Sequence, residues 1–344
     1  MSTLPKSKLI PVVLLVVALL ALPAAANATL AYSKGFQHAH LYYAEDNGKG
    51  AHKFGPGRDP HVSPNGELIV FEGETRQGGE MKLYSVATGK TKTLLTNWRE
   101  SFVLFAWSPD STMVAALRGP LSGPFTLVLI NVETGKQRKV AKGYFTGASF
   151  SPESDEIVYA VSKSPDYPPQ SNVYRYAIGG AAPVALSHNH ASAYPLWGPT
   201  GQIVFVRQLG AKQRRYGPKF ELYQMNEEGK RISRLTQTKV SPLSQGLTPL
   251  AWSESGKQLL AEFGGEDQSY AVAVNAVTGA QKALTDNPEM GFIGAGLSPD
   301  GKTVLGTTGL GFGPHPHPNV VTVPFKGGKE KVLVKGAFEP SWGG

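Results

Sequence analysis

The sequence predicts an all-β fold, because one unit of strands and turns recurs along most of the chain. Six copies align on residues 64, 109, 152, 199, 254 and 299, which lie 43 to 55 residues apart. A period of about 40–50 residues with strand and turn signals is typical of a β-propeller, in which each repeat is one four-stranded blade. A helical repeat would show an apolar period of 3.6 residues, which these segments lack. The copies are Val62-Ser63-Pro64-Asn65, Trp107-Ser108-Pro109-Asp110, Phe150-Ser151-Pro152-Glu153, Trp197-Gly198-Pro199-Thr200, Trp252-Ser253-Glu254-Ser255 and Leu297-Ser298-Pro299-Asp300.

The copy at residues 105–140 shows the organisation of one repeat. A short apolar strand ends at Trp107, and Ser108-Pro109-Asp110 follows as a turn in which proline fixes φ. Residues 113–117 and 127–132 are continuous apolar runs, which indicates strands covered on both faces. Residues 137–140 are much more polar. We therefore expect strands A to D to run from the axis of the propeller to its rim.

These tags resemble the WD40-like (PD40) repeat of the TolB family, which reads roughly W-S-P-D-G, two strands and a closing Leu-Thr. The closing pair is present at Leu95-Thr96, Leu235-Thr236 and Leu284-Thr285. The resemblance covers nearly the whole chain after residue 28 and implies a TolB-like propeller. It does not imply one function, because one propeller hosts many chemistries.

Repeat spacing at the chain ends predicts seven blades. One further period from residue 299 ends at residue 344, so Phe338-Glu339-Pro340-Ser341-Trp342 fits strand A of an unfinished blade. Residues 29–32, 40–43 and 51–54 fit the missing strands B, C and D. Joining them would close the ring and leave no free sheet edge. The alternative is six blades, with the N-terminal strands packed elsewhere.

The first 28 residues fit a secretory signal peptide. Lys6 and Lys8 precede an apolar stretch at residues 9–22, and Ala26-Asn27-Ala28 is a small-x-small cleavage site. We expect cleavage before Thr29, an extracytoplasmic location that is periplasmic or secreted, and one propeller domain over residues 29–344. An uncleaved membrane anchor is the alternative, although the apolar stretch is shorter than the ~20 residues that span a bilayer.

Composition limits the chemistry and the partners. The chain has no cysteine, which excludes disulfides, thiolate nucleophiles and cysteine metal ligands, and its net charge is +8. For an exported monomer we expect a protein or an anionic envelope polymer or polysaccharide as partner, with no nucleic acid and no membrane span after signal cleavage. The alternative is that the positive charge is spread over the outer strands and serves only to keep the protein soluble.

Three His-x-His pairs are the first candidate site. His38/His40 and His315/His317 fall in B–C loops of the first and seventh blades, and His188/His190 falls in the D–A loop between the fourth and fifth. Alternate residues of an extended segment point the same way, so each pair can offer two imidazoles to one metal. Solvated loop histidines are the alternative, because no acidic ligand adjoins any pair.

A basic loop at residues 207–220 is the second candidate site. It contains Lys212, Arg214, Arg215 and Tyr216 and no acidic residue, and paired arginines can bind carboxylate or phosphate. A solvated loop is the alternative.

Two functions remain open at this level. The chain lacks a Gly-x-Ser-x-Gly elbow, a phosphate-binding glycine loop and an Asp-rich calcium loop, which favours a non-catalytic binding or scaffold module without a cofactor. The alternative is an enzyme, because the histidine pairs also resemble oligogalacturonate lyases, which are propellers with a histidine-bound metal. That resemblance implies one divalent metal, such as manganese or zinc, on His315 and His317 with His38, His40 or Gln37. It also implies that Arg214 or Arg215 binds a uronate carboxylate.

Overall fold

The computed structural model describes residues 28–73, 79–97, 100–120, 122–166, 169–210, 217–241, 244–265, 269–286, 291–310 and 316–344. Every regular element in these ranges is a β-strand, which confirms the predicted all-β class. Within the described residues no helix is long and apolar enough to cross a membrane.

The strands follow one another in groups of four along the chain. The N-terminal half contains β1 (Thr29–Lys34), β2 (His40–Glu45), β3 (His52–Pro56), β4 (Arg58–Val62), β5 (Leu68–Gly73), β6 (Gly79–Ser85), β7 (Thr91–Asn97), β8 (Ser101–Trp107), β9 (Met113–Gly119), β10 (Phe125–Asn131), β11 (Gln137–Phe150), β12 (Glu156–Ser162), β13 (Asn172–Ala177) and β14 (Val184–Ala185). The C-terminal half contains β15 (Ser192–Trp197), β16 (Ile203–Leu209), β17 (Lys219–Met225), β18 (Ser233–Arg234), β19 (Ser244–Trp252), β20 (Gln258–Gly265), β21 (Ser269–Asn275), β22 (Gln281–Ala283), β23 (Ile293–Leu297), β24 (Thr303–Thr308), β25 (Asn319–Pro324), β26 (Lys331–Lys335) and β27 (Phe338–Gly343).

Antiparallel pairing joins the members of each group. Group 1 has the order β27-β1-β2-β3, and group 2 has β4-β5-β6-β7. Group 3 is β8 to β10 with the first half of β11, whose second half begins group 4 with β12, β13 and β14. Groups 5, 6 and 7 are β15–β18, β19–β22 and β23–β26. Groups 5 and 6 are also linked by one parallel pair, Phe220 with Gly246.

The two ends of the chain meet in group 1. Leu30 of β1 pairs with Trp342 of β27, and the Gly344 amide donates to the Pro64 carbonyl 2.8 Å away. The inner strand β27 also contacts both β4 and β23. The C-terminal segment therefore lies between the first complete repeat and the last one.

The apolar core consists of clusters between consecutive groups. Trp197 is buried between the strands of groups 4 and 5, and Trp107 packs against side chains of groups 2 and 3. Phe150, Trp252, Leu297 and Trp342 occupy the same position in their own clusters. These residues each lie at or next to the end of the first strand of a repeat and pack between neighbouring groups, and we call the residue at this position the anchor of its repeat.

A buried serine hydroxyl fixes the turn that follows the first strand of a repeat. Ser108 is fully buried, and its Oγ accepts a hydrogen bond of 2.9 Å from the Met113 amide. The same bond spans five residues at Ser63, Ser151, Ser253 and Ser298. The serine of the repeat therefore satisfies the first amide of the second strand, which would otherwise be left unpaired.

The outermost strand of group 5 is short, and β18 contains only Ser233 and Arg234. Its side chains are exposed and polar, so burial adds little to the pairing of this edge.

Candidate functional site

Strand connectivity separates the loops onto two faces. We call "loop face" the side that carries the segments joining the second to the third strand of a group and those joining one group to the next. We call "turn face" the side that carries the short turns such as Ser108–Ser111 and residues 276–279. The loop-face segments differ in length and composition, and functional residues concentrate on such loops above a rigid scaffold.

The first histidine pair lies at the loop-face end of group 1. His38 is exposed, and His40 begins β2 as the cross-strand partner of Lys34. The His40 Nδ1 atom donates to the His38 carbonyl oxygen at 3.0 Å, which leaves Nε2 as the acceptor. A metal-binding imidazole typically has this arrangement. The Lys34 ammonium on the same side of the hairpin acts against a cation there.

The third histidine pair is only partly described. His317 is exposed in the segment between β24 and β25, and His315 lies outside the described residues. Groups 1 and 7 share a core cluster that joins Tyr32 to Leu305 and Val320. His38, His40 and His317 therefore belong to adjacent groups and to the same face. Among the described residues no cluster of three His, Asp or Glu side chains is placed to hold a metal ion.

The second histidine pair stabilises a loop through hydrogen bonds. The His190 amide donates to Asn172 Oδ1 at 2.9 Å, and Asn172 Nδ2 lies 3.1 Å from His190 Nδ1. An amide nitrogen is a donor only, so Nδ1 accepts this hydrogen bond and is occupied. His188 and His190 are both exposed, and the contact with Asn172 gives His190 a role in holding the loop.

The basic-loop residues Lys212, Arg214, Arg215 and Tyr216 lie outside the described residues. At the base of the loop is a carboxylate that the sequence did not single out. Glu221 is fully buried, accepts from Arg234 Nη2 at 2.9 Å and lies 2.5 Å from Lys219 Nζ. Its carboxylate also accepts from the Thr236 hydroxyl and the Thr238 amide. Burial of a charged carboxylate is unfavourable unless hydrogen bonds and ion pairs of this kind compensate for the lost water. Glu221 therefore holds together the ends of the loop-face segments around it.

A small cavity opens between groups 2 and 3 at the loop face, and we call it the mouth cavity. Its volume is about 120 Å³. The strands β4, β5, β6 and β8 form its wall near the ends that meet on this face. Its lining consists of Asp59, His61, Val70, Phe71, Glu72, Glu80, Met81, Phe102, Val103 and Leu104.

The rim of the mouth cavity is charged. His61 Nε2 lies 3.1 Å from Asp59 Oδ2, and Lys82 Nζ lies 2.7 Å from Glu80 Oε2. Burial acts to raise the pKa of Asp59, but the hydrogen bond and charge of His61 outweigh it and hold that pKa below its ordinary value. Burial raises the pKa of Glu72, with Asp59 and Glu339 acting in the same direction and Arg58 against them.

Glu339 connects the C-terminal strand to this rim. One carboxylate oxygen accepts both the Ser33 hydroxyl and the Asp59 amide, each at 2.8 Å. Glu339 and Asp59 each have a φ of 52°, in the left-handed region. Each stands immediately before a proline and three residues before the anchor of its repeat, as does Tyr194 with a φ of 49°. The X-Pro pair before the anchor is thus the sequence signal that could have located this rim.

Comparison with solved structures gives matches to β-propeller proteins. The β-propeller domain of the Trilobed protease from Pyrococcus furiosus aligns with a TM-score of 0.62 and 13% identity, over 89% of this chain and 92% of that one. TolB from Acinetobacter baumannii aligns with a TM-score of 0.57 and 13% identity, over 90% and 79%. An oligogalacturonate lyase in complex with manganese aligns with a TM-score of 0.60 and 13% identity, over 89% and 83%.

Family models and curated proteins gave no match to the sequence. At identities this low, the matches show the fold alone. The prediction of a TolB-like β-propeller is therefore confirmed at the level of the fold.

Proposed function

We propose that the chain is an exported, non-catalytic β-propeller whose loop face binds a protein or a cell-envelope polymer. In this proposal residues 1–28 are removed as a signal peptide, and residues 29–344 form one monomeric domain without a cofactor. The seven groups of strands are seven blades, and the pairing of β27 with β1 closes the ring. The periplasm or the cell exterior is then its place of action.

The observation that carries the binding function is the mixed surface around Asp59 on the loop face. Phe36 is 44% exposed, stacks on Phe338 with a ring separation of 4.5 Å, and is held by a hydrogen bond from Arg58 to its carbonyl. Val103 is 45% exposed on the wall of the mouth cavity. Exposed apolar side chains beside charged ones are a typical composition of protein-binding surfaces. This mixture favours a protein over an anionic polymer at this part of the face.

Site-specific photo-crosslinking in the producing cells tests this function. A benzophenone side chain at Val103 should give a discrete higher-mass adduct. The matched control is the same side chain at Val277, which is 74% exposed on the turn face. Adducts that form equally from both positions, or only from Val277, would contradict the proposal.

The lyase-like enzyme remains a second candidate because of the geometry of His40. Its Nδ1 donates to a carbonyl and leaves Nε2 as a lone-pair donor for a metal, as the chemistry of a histidine ligand requires. The residues that would hold the metal are His38, His40, His315 and His317, with the basic loop binding an acidic sugar. Metal near one equivalent in purified protein, lost in His317→Ala, together with formation of an unsaturated product from oligogalacturonate, would favour the enzyme.

A further inference from the structure

We propose that the mouth cavity receives the side chain of a lysine or arginine from the bound protein. The inference rests on the proposed function and adds the chemistry of the partner, namely a basic residue flanked by apolar ones.

The cavity has the size and walls for such a side chain. Its volume of about 120 Å³ is several times the ~10–15 Å³ that a cavity needs to hold one water. This space suits a terminal cationic group with adjoining methylenes rather than a sugar ring or a folded segment. Met81, Phe102 and Leu104 form apolar walls, and long basic side chains pack their methylenes on apolar surface while the charge stays at a polar end.

The charges at the cavity select a cation. The chain as a whole has a net charge of +8, but carboxylates predominate here. Asp59, Glu72 and Glu80 line the cavity, and Glu339 lies within electrostatic reach of Glu72. The opposing cations are Lys82, which pairs with Glu80, and Arg58, with His61 beside Asp59.

Glu72 is the carboxylate that lacks a partner. Asp59 is paired with His61 and Glu80 with Lys82, whereas the Glu72 carboxylate has no hydrogen bond or ion pair with any described residue. Arg58 is near enough to act on its charge but does not contact it as an ion pair. Glu72 is exposed at the cavity, so its carboxylate is accessible to an incoming ammonium or guanidinium group and can form a charge-assisted hydrogen bond with it.

The exposed apolar residues define what flanks the basic side chain. Val103 lines the cavity together with Glu72, and the Phe36 carbonyl accepts a hydrogen bond from Arg58, the residue that precedes Asp59. A segment of the form apolar-basic-apolar would place its basic group in the cavity and its neighbours on Val103 and Phe36.

Methyl NMR of labelled methionine tests the inference on the complete protein. Met81 lines the cavity, and Met113 and Met225 serve as internal references because they lie outside it. The probe is acetyl-Leu-Lys-Leu-amide, and the matched neutral probe has norleucine in place of lysine. We expect a saturable shift of the Met81 methyl resonance with the lysine peptide only.

Charge-neutral variants complete the test. Glu72→Gln should weaken binding of the lysine peptide about tenfold, which corresponds to about 1.4 kcal/mol. Glu254→Gln, which removes an exposed carboxylate on the turn face, should leave binding unchanged. An unmoved Met81 resonance, an equal shift with the norleucine peptide, or equal binding by the two variants would overturn the proposal.

The two proposals fail separately. Crosslinks from Val103 without a lysine-dependent shift at Met81 would support protein binding by the loop face and contradict the proposal that a basic side chain enters the cavity. A lysine-dependent shift without crosslinks from Val103 would support binding of a basic side chain in the cavity and contradict the proposed protein-binding function in the cell.

Discussion

Single residues at one repeated position control how neighbouring groups pack. Trp107 and Trp197 end the first strands of their groups, and each contacts the preceding group as well as its own. Trp107 Nε1 donates to the His61 carbonyl at 3.0 Å, which ties group 3 to the strand that carries Asp59. These side chains therefore affect the loop face through the strands they hold.

Removal of one anchor should be costly. Trp197 is 6% exposed, so Trp197→Ala leaves a large cavity and should lower the free energy of unfolding by about 3–5 kcal/mol. Val277→Ala, at an exposed site, should change it by less than about 0.5 kcal/mol. Urea denaturation of both variants checks this, and similar values for the two would contradict the packing role.

The pH dependence of stability should reveal Glu72. Its pKa is raised in the folded state, so its contribution to stability is full below the ordinary value of 4.5 and is lost as the pH rises through the raised value. Glu72→Gln removes this loss. Thermal unfolding should therefore show similar melting temperatures at the acid end and a higher one for the variant at neutral pH. A variant that is less stable at neutral pH would refute the assignment.

At the scale of strands and turns, the sequence predicts most elements because each one carries its own signal. Apolar runs such as residues 113–117 mark the covered strands, and the Ser-Pro-Asp tag marks the turn that Ser108 stabilises. The outer strands are less predictable. The two-residue β14 and β18 have no buried side chain, so neither burial nor periodicity specifies their length.

The contact between the C-terminal strand and group 2 should be measurable through Glu339. Glu339→Gln keeps the shape but loses the charge that strengthens two hydrogen bonds, so we expect a loss of about 1–3 kcal/mol. Ser33→Ala is the matched variant, because it removes one of the two donors. If the bonds act through the same oxygen, the double variant should lose less than the sum of the single losses. If the loss in the double variant equals the sum of the single losses, the two hydrogen bonds are not coupled.

At the scale of the whole molecule, the sequence indicated the architecture but not the mouth cavity. A period of about 45 residues and the terminal strand are visible in the sequence, because they are patterns along the chain. The cavity joins Asp59, Glu72, Glu80 and Val103 from four strands, and no spacing connects them. The burial of Glu221 could not be predicted from the sequence either, because a single glutamate in a strand is usually exposed.

The account depends on closure of the ring, because closure places group 1 between groups 7 and 2. Amide hydrogen exchange of β1 tests it most directly. In the full chain β1 lies between β27 and β2, so its amides should exchange as slowly as those of the central strand β9. In a chain that ends at Ala337 the amides of β1 should exchange much faster, while β9 stays protected. Equal exchange of β1 in the two chains would show that the C-terminal strand does not close the ring, and would contradict the account.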